Sequence, residues 1–370
     1  MRVALVHYWL LGMRGGEKVL EAMCRLFPEA DIFTLFYDPE AVSPLIRSRN
    51  VHVSFLNPLR GMYRSLLPLM PVALEHFDLR GYDLVISSES GPAKYVLVSS
   101  QARHVCYCHT PMRYLWELYP AYCHEFRRGF AKQILFSLFA SHLRTLDYAS
   151  AARVDAFLAN SRNVRRRIWR AYRRRSRVVY PPVPAHDFRH EASRGYFLMV
   201  SEMVPDKRLD YAIRCVTRTG RRLKVVGGGP EYKALRRIAG PNVEFCGRVS
   251  DADLRELYSR CAALIVPGEE DFGMTLVESL ASGKPVIALE KGGASEIVTP
   301  GCGFLFGAPD EPSLSEALQA FDRRERFVNP AALMARSRDF SEEAFQTRFL
   351  AGLARTPAKH TGRAAVCVGS

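Results

Sequence analysis

Short apolar runs alternate with longer amphipathic segments along most of the chain. The short runs include VALVHYW, DIFTLF, YDLVISSES and HVCYCH in the first half, and YFLMV, LKVV, ALIVP and PVIALE in the second. A short apolar run predicts a buried strand, whereas apolar residues three and four apart predict a helix. Strands that alternate with helices are typical of a parallel sheet covered on both faces, so we expect an α/β protein.

A proline-rich segment, YPPVPAHDF at residues 180–188, separates two such series of elements. Proline disfavours both helix and central strand, so we predict a domain boundary there. The expected organisation is a doubly wound, Rossmann-like domain over residues 1–185 and a second one over residues 186–340. A helix is predicted over 341–355, with packing against the N-terminal domain as one option, and a disordered tail over 356–370.

The composition is that of a globular protein without a membrane span. The chain has 370 residues, of which 48% are hydrophobic, and none of its apolar runs reaches the 18 residues that would predict a transmembrane helix. Its nine cysteines form no Cys-x-x-Cys pair, which favours free thiols in a reducing compartment. We therefore expect a cytoplasmic protein whose first apolar run is a strand and not a signal peptide.

The charge is unevenly distributed. The net charge is +14, and residues 1–185 hold 26 Lys and Arg against 14 Asp and Glu, whereas residues 186–370 hold 26 against 24. A basic N-terminal half predicts an anionic partner, and nucleic acid, anionic lipid and diphosphates all fit this expectation.

One run, residues 161–177, contains nine arginines, with Ile168, Trp169 and Tyr172 available to pack inward. Residues 59–77 and 126–146 mix basic with large apolar side chains, as do helices that lie in a membrane interface. Amphipathic core helices show the same pattern, so both interpretations stay open. The arginine run also motivates a nucleic-acid-binding alternative, although the context of a known RNA-binding or zinc-finger motif is missing.

Glycines follow two of the predicted strands. Gly15 and Gly16 open a helical segment after the first strand, and residues 227–229 follow LKVV. A helix start with free backbone N–H groups is an anion site, although a tight turn would give the same pattern. The second turn lacks the third glycine of a dinucleotide fingerprint, because Tyr232 stands there, so a nicotinamide enzyme is not expected.

The stretch PGEEDFGMTLVES, residues 267–279, places two carboxylates around a Phe-Gly turn. Glu270 is predicted in the loop after a strand, Gly273 lets the backbone approach a ligand, and Glu278 falls near the first turn of the next helix. A carboxylate in that position can accept hydrogen bonds from vicinal hydroxyls, and the helix start favours a phosphate. The alternative is that both acids cap the helix or lie in solvent.

These motifs resemble the retaining family 4 glycosyltransferases, whose signature is Glu-x7-Glu, and look closest to bacterial GDP-mannose-dependent mannosyltransferases of surface polysaccharide synthesis. The resemblance covers residues 1–350 and rests on an ordered set: the Gly15-Gly16 turn, HTPMRYLW, ANS, YPPV, VPDKR, GGGPE, FCGRVSDADL, FGMTLVESLASGKPVIA and GGASEIV. It implies the GT-B fold, in which two Rossmann-like domains face each other across a cleft.

The resemblance also implies a role for each matching residue. The catalytic group would be His109 beside the reacting sugar carbon, Lys207 on the diphosphate and Glu270 on the sugar hydroxyls, with Glu278 on the nucleotide ribose. The remaining donor residues would be Gly15, Gly16, Arg208, Gly228, Gly273, Met274, Thr275 and Leu276, and Arg113 and Tyr114 would lie on the acceptor side.

The implied reaction moves mannose from GDP-mannose to a saccharide acceptor, linked to a polyprenyl diphosphate, at an anionic membrane surface. No cofactor or metal is expected, because the cysteines and histidines at 104–109 and 123–124 lack zinc-site spacing. Glu202 stands where the family usually has a diphosphate-binding arginine, so either Arg208 supplies that charge, or the donor differs, or activity is weak. A catalytically weak nucleotide-sugar-binding scaffold is therefore the alternative function.

Overall fold

The computed structural model describes residues 1–120 and 130–355, and it divides the chain into two compact units. The first unit contains Met1–Asn160, Val164–Val179 and the chain from Gln346, and the second contains Ser161–Asn163 and Tyr180–Phe345. The division falls at the start of the proline-rich segment, a few residues before the predicted boundary. The predicted tail, 356–370, lies outside the described residues.

The first unit is built on a seven-stranded parallel sheet with the order β3-β2-β1-β4-β5-β6-β7. The direction of chain progression reverses between β1 and β4, which is the switch point of a doubly wound sheet. The strands are β1 Val3–His7, β2 Asp31–Thr34, β3 Val51–Val53, β4 Leu84–Glu89, β5 Arg103–Cys108, β6 Ala156–Ala159 and β7 Ser176–Val178. The α-helices are α1 Gly15–Leu26, α2 Pro44–Arg47, α3 Met70–Glu75, α4 Phe130–Ala152 and α5 Arg162–Tyr172, and the first two residues of α5 belong to the second unit.

The second unit repeats this scheme with a six-stranded parallel sheet in the order β10-β9-β8-β11-β12-β13. Its switch point lies between β8 and β11. The strands are β8 Phe197–Val200, β9 Leu223–Val226, β10 Val243–Gly247, β11 Leu264–Val266, β12 Val286–Leu289 and β13 Gly303–Phe306. The α-helices are α6 Leu209–Thr219, α7 Tyr232–Ile238, α8 Asp251–Arg260, α9 Met274–Ala281, α10 Ala294–Ile297, α11 Glu311–Arg324 and α12 Pro330–Ser337.

Helices cover both faces of each sheet, which explains why the central strands are buried without alternation. Every residue of β1 and of β4 is buried. The last helix, α13 at Glu342–Ala354, packs on the first unit through its C-terminal half. The Phe349 ring lies 6.5 Å from Phe27 and 6.1 Å from Tyr107, and the Arg103 guanidinium donates a 3.3 Å hydrogen bond to the Leu353 carbonyl.

Helix α5 carries much of the arginine run, and it corrects one sequence expectation. Ile168 and Tyr172 are buried as predicted, but the Trp169 side chain is 48% exposed. The reason is helical geometry, because residues 164, 168 and 172 form one stripe and residue 169 lies about 100° further round the helix. None of the helices in 1–120 and 130–355 is both long and apolar enough to cross a bilayer.

Candidate active site

In the second unit, loops that follow neighbouring strands pack on one another at the carboxyl edge of the sheet. The loop after β8 contains Lys207, and the loop after β11 contains Gly268 and Glu270. A Cβ atom at Gly268 would lie only 2.6 Å from the Lys207 carbonyl oxygen, so glycine allows the two loops to touch. Because β8 and β11 flank the switch point, this contact lies where doubly wound sheets bind ligands.

Lys207 and Glu270 form an ion pair at this edge. The Lys207 Nζ donates to both Glu270 carboxylate oxygens at 2.8 Å, and the two side chains are 22% and 21% exposed. Burial lowers the pKa of Lys207, but the Glu270 carboxylate outweighs it and leaves that pKa raised. The ammonium is therefore charged at neutral pH and remains within reach of a ligand.

Glu278 lies on α9, whose first turn contains the predicted residues Met274, Thr275 and Leu276. Its carboxylate is 6% exposed and accepts a 2.9 Å hydrogen bond from the hydroxyl of Tyr258, which is fully buried on α8. Burial, together with the neighbouring Glu278 charge, raises the pKa of Tyr258 well above 10, so the phenol stays a hydrogen-bond donor. This bond fixes the orientation of a buried carboxylate that could accept further bonds from a diol.

The glycines of GGASEIV brace the Glu270 loop from the next strand. The Gly293 N–H donates a 2.9 Å hydrogen bond to the Glu270 carbonyl, and Glu270 forms an isolated parallel bridge with Gly292. A Cβ atom at Gly293 would lie 1.8 Å from the Phe272 carbonyl oxygen. In the sequence this motif contributes only to the family resemblance, and its contact with the Glu270 loop is visible only in the structure.

Arg208 and Gly228 occupy different surroundings. The Gly228 carbonyl accepts a 2.9 Å hydrogen bond from the Met203 N–H and so supports the loop after β8. The Arg208 guanidinium lies 3.3 Å from an Asp210 carboxylate oxygen and donates to the Pro309 carbonyl at 3.4 Å. Glu202 is exposed in the same loop. Compensation of Glu202 by Arg208 stays a prediction.

In the first unit, Gly16 and His109 meet at the carboxyl ends of β1 and β5. Helix α1 begins at Gly15, and a Cβ atom at Gly16 would lie 3.4 Å from the His7 ring and 3.8 Å from His109 Nε2. His7 is fully buried, and its Nε2 lies 3.9 Å from a carboxylate oxygen of Glu17. Two imidazoles therefore lie beside the start of a helix, where an anion is stabilised.

His109 is held as a neutral imidazole. Burial, reinforced by the proximity of His7 and only partly offset by Glu17, lowers the pKa of His109 to about 3. Its Nε2 is 3.0 Å from the Ser88 hydroxyl at the end of β4. At neutral pH the side chain can donate or accept a hydrogen bond but does not contribute a positive charge.

The two predicted acceptor-side residues differ in placement. The Tyr114 hydroxyl donates to the Met112 sulfur at 2.9 Å, so its polar end is used inside the unit. Arg113 lies on the wall of a pocket beside Trp116 and Arg167. Arg167 was missed because it belongs to the arginine run, although its spacing from Val164 and Ile168 would have placed it on the inward side of α5.

Within residues 1–120 and 130–355, groups of three His, Cys, Asp or Glu side chains with metal-binding geometry are absent. Cys106 is fully buried on β5, next to the buried His104. Cys123 and His124, the other residues of this cysteine- and histidine-rich part of the sequence, lie outside the described residues.

Two family models match the chain, one for each unit. The model described as Glycosyltransferase Family 4 matches residues 13–187, and the model described as Glycosyl transferases group 1 matches residues 186–333. The chain belongs to the family 4 glycosyltransferases with the GT-B fold, which confirms the family and the fold class predicted from the sequence.

Solved structures agree with this fold. The chain is similar to Anabaena HepE in complex with UDP and glucose, with a TM-score of 0.69 and 17% identity over 95% of this chain and 99% of that one. It is also similar to sucrose-phosphate synthase from Thermosynechococcus elongatus, with a TM-score of 0.70 and 17% identity over 96% and 98% of the two chains. At these identities the likeness shows the fold alone.

Curated relatives match parts of the chain. It is 26% identical over 199 residues to O-antigen chain mannosyltransferase C of Escherichia coli, covering 48% of this chain and 54% of the relative. It is 38% identical over 136 residues to phosphatidyl-myo-inositol mannosyltransferase of Mycobacterium leprae, covering 34% and 36%. The chain thus spans about a third to a half of the length of these relatives.

Proposed function

We propose that the protein is a retaining glycosyltransferase that moves mannose from GDP-mannose to a lipid-diphosphate-linked saccharide in the synthesis of cell-surface polysaccharide. The observation that carries the proposal is the Lys207–Glu270 ion pair at the switch point of the second sheet, together with the buried Glu278 on the helix that follows the Glu270 loop. The names of the relatives support the sugar. One from Corynebacterium glutamicum, 33% identical over 134 residues and 35% of its length, is described as a GDP-mannose-dependent mannosyltransferase.

The charges at this edge suit the reaction. Glycosyl transfer passes through an oxocarbenium-like state while negative charge grows on the departing diphosphate. Lys207 and the first N–H groups of α9 would meet that charge, and a preorganised cation stabilises it more than water does. Glu270, which orients Lys207 before the donor binds, would accept hydrogen bonds from the sugar hydroxyls.

His109 would act as a neutral group in this scheme. Its lowered pKa leaves an uncharged imidazole at neutral pH, which suits a hydrogen bond to a hydroxyl of the donor sugar. A cationic imidazole would instead repel the positive charge that develops on the sugar ring. A nucleophile is not assigned to the protein, because the leaving phosphate can itself accept the proton of the acceptor.

Donor binding is the first test. The purified full chain would be titrated calorimetrically with GDP, UDP, ADP and GDP-mannose, as wild type and as Glu278→Gln, with Glu316→Gln as the control because Glu316 is exposed on α11 of the same unit. We expect guanine-specific binding that is at least about tenfold weaker in Glu278→Gln, because a charge-assisted bond to the ribose is lost. Binding that is equal in all three proteins, or absent for every nucleotide, would contradict the proposed donor site.

A nucleotide-sugar-binding scaffold is the second candidate. It is favoured by the position of Glu202 and by the ion pair that holds Arg208 at Asp210. Donor binding without transfer to any of a panel of lipid-linked saccharides would support this candidate. Transfer with an α-linked product, detected by NMR, would support the retaining enzyme.

An anionic membrane surface is the proposed site of action. Exposed apolar side chains lie on two segments of the first unit, which also carry basic residues: Leu59, Met62, Leu69 and Val72 on the first, and Ile134, Leu135 and Leu138 on the second. The double variant Leu135→Ser/Leu138→Ser should release the protein from anionic vesicles in a flotation assay. Leu350→Ser, at an exposed leucine of α13, is the control and should float as the wild type does.

A further inference from the structure

A second potential ligand site lies within the first unit, between the loop after β5 and helix α5. It is an open pocket of about 220 Å³, lined by Pro111, Arg113, Trp116, Glu117, Arg167, Arg170 and Ala171. The donor residues described above do not line it. Its walls combine guanidinium groups with apolar surface.

The charged side of this pocket is arranged like an anion site. The Arg113 and Arg167 side chains are only 15% and 9% exposed, whereas Glu117 is 44% exposed. One carboxylate oxygen of Glu117 lies 2.8 Å from Arg167 Nη2 and 3.7 Å from Arg113 Nε. The exposed Glu117 carboxylate thus lies between two shielded guanidiniums. A bound anion could take the same position if the Glu117 side chain rotated outward.

Buried hydrogen bonds hold the walls of the pocket in place. Arg167 Nη1 donates to the Thr110 hydroxyl at 3.3 Å. The Trp116 indole N–H and the Tyr172 hydroxyl both donate to the same Asp147 carboxylate oxygen at 2.8 Å, and Asp147 is fully buried. The aromatic wall and helix α5 are therefore anchored to one group, so the pocket is preorganised.

We propose that this pocket binds a phosphate or diphosphate ester that carries an apolar chain. The phosphate oxygens lie between Arg113 and Arg167, with Arg170 at the exposed side, and the apolar chain packs on Trp116 and Pro111. Building on the proposed function, this ester is the lipid-linked end of the acceptor.

The test uses the full chain and farnesyl diphosphate as a soluble probe, with binding followed by calorimetry. Wild type should bind farnesyl diphosphate, and Arg167→Gln and Arg170→Gln should each bind it about tenfold more weakly because a charge-assisted bond is lost. Arg170 is exposed, so that variant does not disturb the core. The control is Arg166→Gln, which removes the same charge from an exposed position of α5 outside the pocket and should bind as wild type does.

Further ligands distinguish the sources of the phosphate. Farnesol and inorganic diphosphate should each bind more weakly than farnesyl diphosphate, because farnesol lacks the diphosphate and inorganic diphosphate lacks the apolar chain. Equal binding of inorganic diphosphate would overturn the role of the apolar wall. Loss of binding to phosphatidylglycerol vesicles in Arg167→Gln, with no binding of farnesyl diphosphate, would assign the pocket to membrane phospholipids and overturn its assignment to the lipid-linked end of the acceptor.

The nucleotide titration separates this inference from the proposed function. If guanine nucleotides bind but farnesyl diphosphate does not, the pocket assignment fails and the donor site stands. If farnesyl diphosphate binds through Arg167 and Arg170 while nucleotides do not bind, the pocket stands as an anion site and the proposed function fails.

Discussion

Each unit contains a lysine that is paired with carboxylates near the carboxyl end of a parallel strand, and the two lysines differ in burial. In the first unit, the Lys94 ammonium is fully buried and lies 3.1 Å from Glu89, the last residue of β4, and in short contact with Asp147 of α4. In the second unit, Lys207 is 22% exposed and contacts the 21% exposed Glu270. The same pair of residue types therefore occupies a closed and an open environment.

Burial separates a structural role from a ligand-binding role. Burial lowers the pKa of Lys94, but the carboxylates of Asp147 and Glu89 outweigh it and leave that pKa raised. A solute cannot reach this ammonium, which balances the charge of two buried carboxylates. One of them, Asp147, accepts hydrogen bonds from Tyr172 and Trp116. Lys207 can exchange part of its interaction with Glu270 for a phosphate, because one side of the pair faces solvent.

The largest expected effect is on folding of the first unit. Lys94→Met leaves Glu89 and Asp147 buried without their cation, and breaking a buried ion pair in this way costs about 3–5 kcal/mol. Urea denaturation at pH 7 should show the free energy of unfolding reduced by that amount. A loss of less than about 1 kcal/mol would mean that water reaches the triad, and the contrast with Lys207 would disappear.

The second effect tests the glycine contact that positions Glu270. Gly293→Ala places a Cβ atom 1.8 Å from the Phe272 carbonyl oxygen, so the loop after β11 must move. We expect a loss of up to about 3 kcal/mol in the free energy of unfolding, together with weaker binding of GDP. Gly307→Ala is the matched control, because a Cβ atom there has no neighbour within 4 Å. Equal behaviour of both variants would show that the contact is not rigid.

The placement of the second-unit residues could be predicted from the sequence, since they lie in segments that follow strands. Lys207 lies in the loop after β8, Glu270 lies in the loop after β11, and α9 follows that loop; a parallel sheet brings such positions to one edge. The partner of Glu278 could not be predicted, because Tyr258 lies 20 residues away on another helix and reads as an ordinary core aromatic.

The first unit was harder to predict for the same reason. Asp147 is 53 residues from Lys94, so the pair exists only once α4 has packed on the sheet. Arg167 looked like one member of a charge run, and Trp169 looked like a core residue. The spacing of Val164, Ile168 and Tyr172 predicts which side of α5 faces inward. The carboxylate partner of Arg167 cannot be predicted in this way, because it comes from the loop after β5.

A third, smaller effect is the pH dependence that His109 contributes. Its pKa is about 3 in the folded protein and about 6.5 when unfolded, so between these values the unfolded chain binds the proton and the folded chain does not. The contribution of the neutral His109 to the free energy of unfolding is therefore complete above pH 6.5 and is lost as the pH falls toward 3. From pH 7 to pH 5 the wild type should lose up to about 2 kcal/mol more unfolding free energy than His109→Gln.

Urea denaturation of both proteins at the two pH values would measure this difference, since the other titrating groups are common to both. The control variant is His142→Gln, which removes an imidazole from an exposed position of α4, away from this site. The same slope in wild type and in His109→Gln would mean that His109 is accessible to protons in the folded state, and the neutral role assigned to it would be wrong.

The smallest expected change in stability completes the comparison of the two lysines. Lys207→Met removes the partner of a carboxylate that keeps contact with water, so the free energy of unfolding should fall by less than about 1 kcal/mol. The binding of GDP should nevertheless weaken about tenfold or more, because a charge-assisted contact to the diphosphate is lost. The two measurements on one variant thus separate function from folding. If Lys207→Met instead destabilised the protein as strongly as Lys94→Met, the open pair would be a structural element, and the diphosphate would need another cation.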